Sequence, residues 1–198
     1  MLRNSKSLLV ILALIVVIVG FGASSYNRLV RLDQAVKAQW SQVENVYQRR
    51  ADLVPNLVET VKGAAKFEKD TLTAVTEARA RVGQLPAGVP PTDPAALAKF
   101  QQAQDQLSSS LSRLLVVAEQ YPELKATANF RDLQVQLEGA ENRITVERMR
   151  FGEAAQAFNS TRDTFPTAIV AGMFGGRFAE KAYFTATAGA ATAPRDQF

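Results

Sequence analysis

The chain has 198 residues, enough for one membrane segment and one domain of ordinary size. It contains no cysteine and no histidine, which excludes disulfides, thiolate metal sites, a cysteine nucleophile, the usual imidazole base and histidine-ligated zinc, haem or di-iron centres. The formal net charge is +4 and the basic residues are spread along the chain, a pattern of solvated helix faces rather than a nucleic-acid footprint.

Arg3 and Lys6 open the chain, and residues 7–27 carry no charge. That length matches the ~20 residues a helix needs to cross a bilayer. A cleaved signal peptide is the rival reading, because the small residues Gly22-Ala23-Ser24-Ser25 follow a basic start. The long apolar run, and a helical pattern that resumes at Leu29, favour an uncleaved anchor over residues 1–27. The flanking charges nearly balance, with Arg3 and Lys6 on one side and Arg28, Arg31 and Lys37 against Asp33 on the other. The slight lean is to a single-pass protein of the cell (inner) membrane whose domain lies outside the cytoplasm.

Residues 28–165 read as a helical bundle. Leu29, Leu32, Val36, Trp40, Val43, Tyr47, Val54, Leu57 and Val61 recur at steps of three or four, with one gap at Arg50. The stripe stays in phase through Pro55, which predicts a kink there rather than a full break. The helix ends either near Pro55 or near Gly63. A second helix follows, with Asp70 as candidate cap and Leu72, Val75, Ala78 and Val82 as its apolar positions. Residues 83–94 hold four prolines and two glycines and read as a loop. Asp93 and Pro94 then form an N-cap and first-turn pair for a helix carrying Leu97, Phe100, Leu107, Leu111 and Leu114. From Pro122 to Phe165 the spacing of Phe130, Leu133, Leu137, Ala140, Ile144, Phe151, Ala155 and Phe158 predicts one helix on the order of 60 Å long. The fold class expected is all-α: an N-terminal transmembrane helix, then a four-helix up-and-down bundle with long first and last helices.

In that topology the fourth helix returns towards the membrane. Residues 166–184 would then lie near the bilayer surface, with Phe174, Arg177, Phe178, Lys181 and Phe184 as candidate contacts. Folding back onto the bundle end is the equal alternative. Residues 185–198 are Ala/Thr-rich without pattern and read as a disordered tail.

The densest polar cluster is Glu138, Glu141, Asn142 and Arg143. Two carboxylates one turn apart suit a cation or acid–base chemistry, but no histidine or third ligand motif accompanies them. A structural network with Arg50 and Asn56 on the first helix is the favoured reading, since Arg50 falls in the apolar seam and needs an acidic partner if buried. Gly172-x-x-Gly175-Gly176 is no phosphate loop, lacking a preceding strand and a following Lys-Ser or Lys-Thr. Ser108-Ser109-Ser110 has no neighbouring base and reads as an ordinary polar helix face. No catalytic residue, metal site or cofactor is expected.

Several segments occur in a collinear order. They are Tyr26-Asn27-x-Leu29-Val30, Trp40-Ser41-Gln42-Val43, and the stretch from Arg49-Arg50-x-Asp52-Leu53-Val54-Pro55-Asn56-Leu57-Val58-Glu59 to Gly63. Thr76-Glu77-Ala78-Arg79, Tyr121-Pro122-Glu123-Leu124-Lys125-Ala126 and Leu137-Glu138-Gly139-x-Glu141-Asn142-Arg143-Ile144 follow, and Phe165-Pro166-x-x-Ile169-Val170-Ala171-Gly172-Met173-Phe174-Gly175 closes the set. Over residues 26–184 the chain resembles the LemA family of bacterial membrane-anchored helical proteins. It departs in the proline-rich 84–94 loop, at Gly176, where the family more often has a bulkier residue, and in the tail. The resemblance implies one N-terminal anchor and a four-helix bundle, and offers no catalytic residue to carry over. Relatives are linked to magnetosome membrane formation. The function expected is a non-enzymatic scaffold or adaptor of the bacterial envelope, associating with the bilayer, with other membrane or envelope proteins and with itself as a homo-oligomer. No nucleic acid is expected as a partner. A membrane-shaping oligomer is the alternative, and a small-molecule sensor using Arg49, Arg50 and Arg143, or an enzyme, comes second.

Overall fold

The computed structural model describes residues 2–63, 68–86, 88, 90 and 93–185, with side chains from Leu8 onward. Helix α1 runs unbroken from Leu2–Lys62, about 90 Å at 1.5 Å per residue. Its first part exposes apolar side chains all round, from Leu8 to Val19. Such a helix is built for apolar surroundings, and it is the one helix among the described residues long and apolar enough to cross a membrane. Beyond Ser25 a single stripe is buried: Leu29, Val36, Trp40, Val43, Tyr47, Val54, Leu57 and Val61.

Pro55 sits inside α1, which ends at Lys62. Proline has no N–H, so the carbonyl of Ala51, four residues back, loses its helical partner. Arg79 of the second helix donates from Nε to that oxygen at 3.0 Å. The proline therefore opens an acceptor that fastens the second helix to the first.

Helix α2 spans Lys69–Val82, with Glu68 rather than Asp70 at its N-cap position. Helix α3 spans Pro94–Ala118, and the Asp93 side chain accepts from the Ala95 N–H at 3.0 Å, as the Asp-Pro pair predicts. The single helix expected from Pro122 to Phe165 is two. A short α4, Pro122–Lys125, is followed by α5, Ala128–Asp163. Thr127 breaks the run by capping, since its hydroxyl donates to the Leu124 carbonyl and accepts from the Phe130 N–H. Helix α6, Thr167–Met173, and a 3-10 turn, Gly175–Phe178, complete the order. The architecture is all-helical, with six α-helices among the described residues rather than the four expected.

α1 and α5 form the principal seam and α2 packs on α3. Pairings of Gln39 with Glu147 and of Arg50 with Glu141 show that α1 and α5 are antiparallel. The core is divided in two. One cluster joins Leu53, Leu57 and Val61 to Val75, Leu107, Leu114, Phe130 and Leu137. The other, nearer the apolar segment, joins Leu29, Trp40 and Tyr47 to Leu97, Phe100, Phe151, Phe158 and Phe178. α2 contributes only to the first. In the second its place is taken by residues 179–185, a strap without helical structure that runs back along the bundle. Thr185 is part of this strap. Residues 186–198, the rest of the expected disordered tail, lie outside the described residues.

Candidate functional site

Between the two core clusters lies a polar layer built on Arg50, which is 1% exposed. Its Nη1 donates to Ser108 Oγ of α3 and to Glu141 Oε1 of α5 at 2.6 Å. Its Nη2 donates to both the carbonyl and Oε1 of Gln104, at 3.1 and 2.6 Å. Ser108 in turn donates to Glu141 Oε1 at 3.0 Å. A guanidinium has five N–H donors, so this layer occupies four and leaves Nε–H without a partner among the described residues. The guanidinium also lies over the Tyr47 ring at 5.2 Å, and burial pushes the Tyr47 hydroxyl above its ordinary pKa.

The structure brings together Arg50 and Glu141 from the expected network and leaves the others out. Asn56 is exposed on α1. Glu138 is exposed and accepts from Gln134 of its own helix, and Asn142 and Arg143 face outward on α5. A helix turns about 100° per residue, so a contiguous acidic and basic cluster cannot aim every member at one neighbour. Gln104 and Ser108 were not anticipated as members. Ser108, read as an ordinary polar face, is a partner of both Arg50 and Glu141. The available signal was their spacing of four residues on α3, next to the apolar positions.

The layer opens into a groove, because the backbones of α3 and α5 scarcely approach one another. On one side of Glu141 a cavity of about 280 Å³ is lined by Tyr47, Arg50, Gln104, Asp105 and Arg148. On the other, one of about 370 Å³ is lined by Leu111, Ser112, Leu115, Leu137, Glu138 and Asn142.

The strap closes the groove near the apolar segment. Asn159 of α5 grips the backbone of Lys181 twice, donating to its carbonyl and accepting from its N–H, both at 2.9 Å. Gln101 of α3 grips Thr185 the same way, at 2.8 and 3.2 Å. Between these grips the Phe184 ring stacks with Trp40 at 6.2 Å and carries the Arg148 guanidinium at 4.5 Å. The Lys181 ammonium donates to Asp33 Oδ1 at 2.6 Å, and Lys37 pairs with the other oxygen at 2.8 Å. Burial alone would raise the Asp33 pKa, but the two ammoniums outweigh it and hold the carboxyl below its ordinary value.

This corrects three of the expected membrane contacts. Phe178, Lys181 and Phe184 are turned into the bundle, because Lys181 finds a buried carboxylate and the two rings fill the core that α2 does not reach. Phe174 and Arg177 remain exposed. Phe165, Ile169 and Met173 join them, Met173 at 78% exposure.

Fold and site thus define an all-helical protein whose one long apolar N-terminal helix continues into a helical domain crossed by a buried arginine layer. The chain belongs to the LemA family, whose model matches residues 39–198. It is similar to Protein LemA of Metamycoplasma hominis, at 26% identity over 145 residues covering 73% of this chain and 63% of that protein. It is also similar to Magnetosome proteins MamQ 1 and MamQ 2 of Paramagnetospirillum magneticum AMB-1, each at 24% identity over 78% of this chain and 63% of the relative. The chain spans about 63% of the length of these curated relatives.

Proposed function

We propose that the protein is a non-enzymatic, membrane-anchored helical scaffold or adaptor of the bacterial envelope that acts by associating with other proteins and with copies of itself. One observation carries this reading: α1 is both the apolar helix and the central core helix, with no joint between the two roles. A domain built on such a helix is held at a fixed distance and angle from the bilayer, which suits a platform better than a tethered catalyst. The chemistry of the polar layer agrees. Four of the five Arg50 donors are engaged by the layer's own side chains and backbone. In this reading the layer sets the register of α1, α3 and α5, because sliding any helix by one turn would strand a buried charge. The four longer helices act as one up-and-down bundle, single-pass in the inner membrane, with the bundle on the extracytoplasmic side.

The test is purification of the full chain in mild detergent after cross-linking in membranes. Discrete oligomers or stoichiometric partners are expected. A monomer with no cross-linked species overturns the reading.

A second reading has its own support. Phe165, Ile169, Met173 and Phe174 present exposed apolar side chains at the bundle end next to the apolar segment. Two relatives are named magnetosome proteins. Together these favour a membrane-shaping oligomer, in which that row inserts into the bilayer surface. Liposomes should tubulate or deform with the intact protein, and Ile169→Ser with Met173→Ser should abolish the effect.

A further inference from the structure

At the foot of the bundle, where the apolar part of α1 gives way to its polar part, a cavity of about 360 Å³ opens between α1 and the end of α5. On α1 it is lined by Phe21, Ser24, Ser25 and Arg28. Their spacing of three, one and three places them on one helical face. The opposite wall carries hydroxyls from Ser160, Thr161, Thr164 and Thr167. Ser25 is 5% exposed and Thr167 8%, and both line the cavity. Hydroxyls facing one another across a cavity offer it donors and acceptors for a polar ligand. Its charge is set by the lining, which among the described residues has one cation, Arg28, and no acidic residue. Asp163, the nearest acid in sequence, is paired with Arg162 and does not line it. Phe21, Phe165 and Pro166 supply an apolar rim.

Depth selects the source of that ligand. From Phe21 to Arg28 α1 rises about 10 Å, and the headgroup layer beyond the hydrocarbon core is about 5–8 Å thick. With the apolar segment in the hydrocarbon, the hydroxyls of Ser24 and Ser25 fall at the level of lipid phosphates.

We propose that this cavity binds the phosphodiester of one glycerophospholipid. Arg28 pairs with its single negative charge, the Ser25 and Thr167 hydroxyls donate to its oxygens, and the lipid's glycerol and upper acyl chains lie against Phe21 and Phe165. The proposal rests on α1 spanning the bilayer. It adds a discrete lipid site to what is otherwise general membrane contact.

The experiment uses the full chain in non-ionic detergent and native mass spectrometry. The probes are dioleoylphosphatidylglycerol, dioleoylglycerol with the same chains but no phosphate, and sodium phosphate. One phospholipid should be retained per protein, about tenfold more tightly than dioleoylglycerol. Arg28→Gln should weaken retention about tenfold, as should the paired change Ser25→Ala with Thr167→Val, while Arg31→Gln, outside the cavity, should not. Should the paired change disturb folding, Ser160→Trp fills the cavity from an exposed wall and should abolish retention. Equal retention of dioleoylglycerol, or retention unaffected by Ser160→Trp, overturns the proposal. Sodium phosphate competing off the lipid at millimolar concentration identifies a free anion as ligand and overturns it equally. Alkaline extraction of native membranes separates the two levels. Protein released from the membrane refutes the spanning helix, whereas protein retained without bound lipid refutes the site alone.

Discussion

Removing Glu141 tests the polar layer most directly. Glu141→Ala takes away the carboxylate that pairs with Arg50 and leaves one Nη1 donor of a buried guanidinium without a partner. Stranding a buried charge costs ~3–5 kcal/mol, and the low end of ~3 kcal/mol applies here because water can reach Nη1 from the open groove. The Glu141 side chain is 45% exposed. Glu141→Gln keeps an acceptor oxygen and loses only the charge assistance, about 1 kcal/mol. Arg50→Met has a different cost. It leaves the buried Gln104 Oε1 unpaired, about 2 kcal/mol, while Glu141 turns to water. Adding Gln104→Leu should then recover stability to within about 1 kcal/mol of the parent, since well-packed apolar replacement of a buried polar cluster is close to neutral. The assay is urea unfolding of the full chain in non-ionic micelles, followed by fluorescence of Trp40, the single tryptophan of the sequence and a buried one. A loss for Glu141→Ala of less than ~0.5 kcal/mol refutes the reasoning. So does a double variant less stable than Arg50→Met alone.

Pro55 and Arg79 should be coupled. Arg79→Met should cost ~1.5 kcal/mol in the parent, but much less in a Pro55→Ala background, where the restored N–H of residue 55 competes for the Ala51 carbonyl; a double-mutant cycle that closes additively would sink this account. Asp33 should make stability pH-dependent. Its folded pKa lies below the ordinary 3.8, so its contribution is present above that value and lost as pH falls through the folded pKa. Asp33→Asn should flatten this acid limb in melts taken at stepped pH, and an unchanged slope would count against the pairing with Lys181 and Lys37. Asn159→Leu should cost about 2 kcal/mol by leaving the Lys181 N–H and C=O without partners. Hydrogen exchange at the Lys181 amide should accelerate with it, and an unchanged exchange rate would show that the strap is held by other contacts.

Much of the architecture was legible because helices announce themselves by period. Apart from the half-buried Leu32, the stripe from Leu29 to Val61 and the run from Phe130 to Phe158 are buried where their spacing predicts. The Asp93-Pro94 start of α3 was equally plain, since that pair works through local backbone chemistry alone. Thr127 was missed although it is a good capping residue, because an unbroken three-and-four pattern on both sides concealed the interruption.

Where local chemistry ran out, the sequence could name candidates and not partners. It marked Arg50 as a charge in an apolar seam, a fact of period on one helix. Which carboxylate would face it depended on the rotation of α5 about its axis, set by the packing of Ile144, Phe151 and Phe158 against α1. The same holds for Gln104 and Ser108, whose role exists only once α3 has docked. The segment after Pro166 shows the division most clearly. Its aromatic and basic content suits a membrane surface and a protein core alike, since Phe and Lys carry apolar atoms to either. Tertiary structure decided between them: α2 is too short to cover the lower half of the bundle, and that gap took Phe178, Lys181 and Phe184 inward. Phe165, Ile169 and Met173 were left outside, beside the apolar helix from which the chain begins its fold.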